Sequence, residues 1–144
     1  MSLLAVTLLA VAGCSSGTPR PVPAQTIALP LSTNADQSSQ VRLHVGQRLG
    51  VATVHNAQSH AWTTGTSANS RIVHQDPEVT TEGCAPANAG CESEVQELYT
   101  ATAVGDTDLT WSYQNLPSCS PAKDPRDPTP CVLGTMTVHV TVVK

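Results

Sequence analysis

Phenylalanine is absent from this 144-residue chain, and aromatic residues of every kind make up 3% of it, two Trp and two Tyr. Its core must therefore be assembled from aliphatic side chains and threonine around a few rings. Charge is also scarce, at 12% of residues, with a formal net charge of −4. The seven Lys and Arg are scattered, without the basic stripe that marks a nucleic-acid binder. The acids are dispersed as well; Glu92, Glu94 and Glu97 form the densest group and read as a solvated face. No apolar run reaches the ~20 residues of a membrane-spanning helix. No window carries a convincing helical hydrophobic period, and Ala87–Leu98 supports a turn of helix at most. The sequence contains no H-E-x-x-H, no G-x-S-x-G and no C-x-x-C. Without a constellation of catalytic roles or metal ligands, the chain reads as a non-enzyme with no cofactor.

What the sequence does have begins at its front. Leu3–Ala12 is apolar, about the length of a signal-peptide core, and is preceded only by Met1 and Ser2. Val11-Ala12-Gly13-Cys14 resembles the bacterial lipobox, an aliphatic residue and two small ones before a cysteine. That resemblance implies a signal peptide over 1–13, removed as the Cys14 thiol is acylated. It places the mature chain on the extracytoplasmic face of the cell membrane, held by lipid whose every buried methylene contributes about 0.8 kcal/mol. An ordinary secretory signal with an incidental Cys14 is the competing reading. A polar stretch rich in Ser and Pro follows, so residues 14–37 are assigned to a tether and 38–144 to the folded body.

Four further cysteines remain: Cys84, Cys91, Cys119 and Cys131. An even number in an exported chain reads as disulfides, with three connectivities open. The pairs Cys84–Cys91 and Cys119–Cys131 are favoured, because CAPANAGC and CSPAKDPRDPTPC each read as an irregular loop that needs a clasp.

The body reads as short strands separated by turns. Gln40–Val45 alternates, with Val41, Leu43 and Val45 on one face. Gly46-Gln47 turns the chain into Arg48–His55. Ala61–Thr64, Arg71–His74 and Val95–Val104 follow, then a turn at Gly105-Asp106. Asp108–Gln114 places Leu109, Trp111 and Tyr113 inward, and Val132–Val143 does the same with Met136, Val138, Val140 and Val142. Such a pattern predicts an all-β, immunoglobulin-like antiparallel sandwich, with Trp62 and Trp111 as its large core pieces. The Asp106/Asp108 pair reads as capping or solvating the turn beside it.

The order of these pieces resembles the chagasin-type inhibitors of papain-like cysteine proteases. The resemblance rests on Val45-Gly46-Gln47, on Trp62, on Tyr99–Gly105, on Leu109-Thr110-Trp111-Ser112-Tyr113 and on the terminal strand Thr135–Val143, and it spans residues 38–144. It implies an immunoglobulin-like sandwich and a papain-like protease as partner. The family's Asn-Pro-Thr-Thr-Gly-Tyr loop falls on His55-Asn56-Ala57-Gln58-Ser59-His60, and its Arg-Pro-Trp falls near Asn115-Leu116-Pro117. These stretches therefore become candidate partner-binding loops: Asn56, Ala57, Gln58, Ser59 and His60, with Asn115, Leu116 and Pro117. Two readings of other classes stand beside the inhibitor: a structural or accessory envelope lipoprotein without inhibitory activity, and a lipoprotein binding metal through its histidines (His44, His55, His60, His74 and His139).

Overall fold

A computed structural model of the chain describes residues 23–30, 33–55, 59–83 and 93–144. Among these residues nine strands and one helical turn follow in order: β1 (Gln25–Ala28), β2 (Gln37–His44), β3 (Arg48–His55), β4 (His60–Trp62), β5 (Thr66–Ser67), β6 (Val73–Gly83), β7 (Ser93–Ala101), β8 (Gly105–Asn115), α1 (Leu116–Cys119) and β9 (Val132–Val143). They form two sheets. One has the order β1-β3-β7-β6; the other has the order β2-β9-β8-β4, with β5 also paired to β8.

Period-2 alternation does the folding work in the second sheet. Leu109, Trp111 and Tyr113 of β8 and Met136, Val138, Val140 and Val142 of β9 are all buried, while the residues between them face outward. The first sheet answers with Leu49 and Val51 of β3, Val73 of β6, and Tyr99 and Ala101 of β7, completing one apolar core. Trp62 and Trp111 lie in that core, 1% and 0% exposed. The Tyr99 and Trp111 rings meet edge-on across the two sheets, centroids 5.6 Å apart at 81°.

The structure departs from the sequence reading in several places. Two of the strand pairs are parallel, β1 with β3 and β2 with β9, so the sandwich is mixed rather than wholly antiparallel. Residues 25–28, expected within the tether, form β1 and pair with Leu49–Ala52. Val45 lies one residue beyond β2, in the turn made by Gly46 at φ +88°, and is exposed instead of continuing the buried Val41–Leu43 row. Of Ala87–Leu98, read as a turn of helix at most, Ser93–Leu98 belongs to β7 and residues 87–92 lie outside the described residues. Asp106 and Asp108, solvent-facing beside their turn, also bond across the ladder: Asp106 accepts from Thr141 Oγ1 (2.7 Å), and Asp108 Oδ1 lies 2.6 Å from His139 Nδ1. Cys119 and Cys131 form the expected disulfide, whereas Cys84 and Cys91 lie outside the described residues, as does Cys14.

Candidate functional site

Strand direction and register collect four connections at one end of the sandwich. His55 at the end of β3 and Gly83 at the end of β6 both pair with Ser93 at the start of β7. In the other sheet His60 pairs with Asn115, and Gln114 with Val132. β1 also ends here, with Ala28 beside Ala52, and β2 starts here, with Gln37 beside Met136, so the chain leaves and rejoins the sheets at this end four times, through 29–36, 56–59, 84–92 and 116–131.

Two of the candidate loops are brought together here. Leu116 N–H donates to Ser59 O (2.9 Å), and Asn115 N–H donates to Cys131 O (2.9 Å). Pro117 sits in the first turn of α1, where its missing N–H leaves no intrahelical bond unmade. Its carbonyl accepts Ser120 N–H (3.4 Å). Ser59, His60, Asn115, Leu116 and Pro117 thus form one backbone-linked group, while Asn56, Ala57 and Gln58 lie outside the described residues. The His60 ring lies nearly parallel to Tyr113, centroids 5.7 Å apart at 12°, and Trp62 packs on the same Tyr113 at 5.2 Å. Thr33, Asn34, His60, Tyr113 and Leu133 line an open cleft of about 410 Å³ beside this end. Sequence reasoning did not find Thr33, Asn34 or Leu133, because nothing in the local pattern says which segments the β2–β9 pairing brings next to β4.

The Cys119–Cys131 disulfide closes the longest of these connections. Within the ring, turns are locked from inside: Lys123 N–H bonds Ser120 O and Asp127 N–H bonds Asp124 O, both at 3.0 Å. Asp124 Oδ1 accepts Arg126 N–H and Asp127 Oδ1 accepts Thr129 N–H, both at 2.9 Å. The side-chain and backbone hydrogen bonds from Thr129 hold the Asp127 carboxyl below the usual carboxylate range. Lys123 Nζ reaches across the ring to Thr129 O. A proline-rich segment fixed this way loses little entropy when it is bound.

The histidines are spread over the molecule. His44 Nδ1 lies 2.5 Å from Lys144 O, His74 pairs with Asp76 at 3.4 Å, and His139 pairs with Asp108. His55 ends β3. Among the described residues no three His, Cys, Asp or Glu side chains are grouped to hold a metal ion.

The polar centre of the molecule is one the sequence reading missed. Glu97, expected on a solvated face, is 3% exposed and points between the sheets. Trp111 Nε1–H donates to its Oε2 (2.9 Å), Tyr99 Oη–H donates to the same oxygen, and Gly65 N–H lies 3.1 Å from it. Three donors from β7, β8 and the β4–β5 turn therefore converge on one carboxylate, the arrangement a buried acid requires. Burial, then the hydrogen bond and charge of Glu97, push the Tyr99 hydroxyl far above the ordinary tyrosine range. A signal was present: Glu97 shares the parity of Tyr99 and Ala101 along β7, so a strictly alternating strand points it inward.

No family model matches this chain, and no curated protein does. Solved structures do. The cysteine protease inhibitor EhICP2 of Entamoeba histolytica superposes with a TM-score of 0.52 at 12% identity, covering 85% of this chain and 100% of its own. PbICP-C, solved in complex with falcipain-2, gives 0.51 at 18% identity, covering 83% and 99%. Amebosin gives 0.50 at 16% identity, covering 85% and 100%. At such identities the likeness is one of fold, and the fold is the chagasin-like sandwich that the order of the strands implied.

Proposed function

We propose that this chain is an extracytoplasmic lipoprotein, anchored through acylated Cys14, whose loop-bearing end binds a protein partner and inhibits a papain-like cysteine protease. The observation that carries this reading is the coupling of Ser59–His60 to Asn115–Pro117 at one end of a fold shared with EhICP2 and PbICP-C. Inhibition by such an end is steric: rigid loops fill a cleft without offering a bond placed for attack. The cystine ring and the Leu116–Ser59 hydrogen bond supply the rigidity.

Titrating the purified protein against papain tests the inhibitory part. Loss of protease activity at micromolar protein is the expected result, and full activity at that concentration would sink it. Intact mass spectrometry of native material tests the anchor: acyl mass on a chain that begins at Cys14 is expected, and an unmodified leader contradicts it.

A second reading has its own support. His55–His60 and Asn115-Leu116-Pro117 lack the Gly, Tyr and Trp that the inhibitor family carries at those places. This favours an accessory envelope lipoprotein that keeps the scaffold and binds a different protein. Pull-down from envelope extracts in the absence of papain inhibition would select it.

A further inference from the structure

Strand β2 forms one edge of the five-stranded sheet, and three bonds fix which of its backbone groups face outward. Val45 N–H donates to Val143 O (2.9 Å), so the odd-numbered residues turn their peptide groups toward β9. His44 N–H is bonded instead by Gln47 Oε1 (2.8 Å), and Arg42 O accepts Gln25 Nε2 (2.7 Å). The even-numbered residues therefore face away from the sheet. Two glutamine side chains occupy this edge at Arg42 and His44. The outward N–H and C=O groups of Ser38 and Gln40 have no partner among the described residues.

Edge strands are ordinarily guarded by Lys, Pro or a bulge, because unpaired peptide groups invite another strand. Gln37–Val41 reads Gln-Ser-Ser-Gln-Val, with none of these, and Ser38 and Gln40 are exposed. The open stretch is bounded by charges of opposite sign, Asp36 before it and Arg42 after it.

We propose that β2 pairs with β2 of a second copy of this chain, antiparallel, about a two-fold axis through Ser39. The register follows from parity. Only residues whose peptide groups both face outward exchange hydrogen bonds, so even numbers must oppose even numbers. Centring on Ser39 sets Ser38 opposite Gln40 of the second copy, where the free peptide groups bond, and brings the side chain of Arg42, whose carbonyl stays with Gln25 Nε2, across from its Asp36 just ahead of β2. Both charged side chains stand on the outer face of the sheet. Val41 and Leu43 beside Arg42 are buried inward, and Asp36 accepts Thr135 N–H (3.0 Å) and Thr135 Oγ1–H (2.7 Å) on the outer side. Opposite charges directly across a ladder attract, and the symmetry makes the pair twice. Centring on Ser38 or Gln40 would instead oppose Arg42 to Asn34 or Ser38 and leave its charge unmatched. The pairing joins two five-stranded sheets into one and does not depend on the inhibitory reading, since the loop-bearing end stays outside it.

The test uses the full chain in the cells that produce it. Across the axis the two Ser39 residues form a non-hydrogen-bonded pair, with Cα atoms about 4.5 Å apart, which is within reach of a disulfide. Ser39→Cys should yield a reducible band of doubled mass under mild oxidation, and Ser38→Cys far less of it. In the Ser39→Cys background, Gln40→Pro removes an outward N–H without touching the β9 ladder and should abolish the band. Arg42→Glu should weaken it, and adding Asp36→Arg should restore it. Thermal melts of each variant, followed by tryptophan fluorescence, show that the sandwich remains folded. A Ser39→Cys chain that stays monomeric, a Ser38→Cys chain that links equally well, or linkage of residue 39 to a different polypeptide would overturn the proposal.

Discussion

Replacing Glu97 with alanine puts the inter-sheet tie to a direct test. The substitution removes the acceptor shared by Trp111 Nε1–H, Tyr99 Oη–H and Gly65 N–H. The two ring donors belong to fully buried side chains that no water reaches. Each buried donor left without a partner costs about 1–3 kcal/mol. The Tyr99 hydroxyl can rotate to recover part of its share, so the expected loss summed over the three donors is about 3–5 kcal/mol. For a domain of this size that corresponds to roughly 12–20 °C in Tm, at about 4 °C per kcal/mol. Urea unfolding followed by tryptophan fluorescence is the natural assay, because Trp111 is one of the two reporters and touches the site. Glu97→Gln keeps the shape and one acceptor oxygen, and should fall between wild type and alanine. A loss below about 1 kcal/mol for Glu97→Ala, with an unchanged m-value, would refute the reasoning, since it would mean that these donors find other acceptors or are solvated.

Further expectations follow from the same geometry. Tyr99 is held neutral in the fold, its pKa raised above the unfolded value of ~10, so the stability it contributes is complete below pH ~10 and is lost as pH rises beyond that. Alkaline titration followed by phenolate absorbance should show Tyr99 ionising only as the protein unfolds; early ionisation in a folded sample contradicts this. Opening the cystine ring with paired Cys119→Ser and Cys131→Ser should cost about 3 kcal/mol from loop-closure entropy alone, read as a lower urea midpoint. Gly65→Ala should destabilise by at least 1–3 kcal/mol, as overpacking does, because a Cβ there would overlap Tyr99 Oη and the Trp111 indole. A thermal midpoint equal to wild type would show that the β4–β5 turn can move away.

How far the fold could be read from the sequence depended on the kind of signal each segment carries. β8 and β9 announce themselves, because their residues alternate and one face is buried. β1 is only four residues long and lies in a polar, proline-flanked stretch, so nothing local separates it from a linker; its pairing with β3 is a tertiary event. β6 extends well beyond the expected Arg71–His74 because its register shifts between Gln75 and Val79, around Pro77, and that irregularity hides the period. The candidate loops were placed from the family's order of motifs, and the flanking strands do bring Ser59 and His60 to Asn115, Leu116 and Pro117. Glu97 was misjudged because a charge was weighed by type rather than by parity. Its burial is tolerated only because residues distant in sequence, Gly65 and Trp111, supply donors.

The parallel pairing of β1 with β3 has a mechanical consequence. Ala24 N–H bonds Arg48 O, so the backbone joins the sandwich beside the start of β3, at the pole farthest from the loop connections. Any pull transmitted from the residues ahead of Gln25 then runs along the axis of β1, and every rung between Gln25–Ala28 and Leu49–Ala52 must slip together. Loaded in shear, a short ladder resists far better than one peeled rung by rung, and the loop-bearing end lies away from the point where such a load enters.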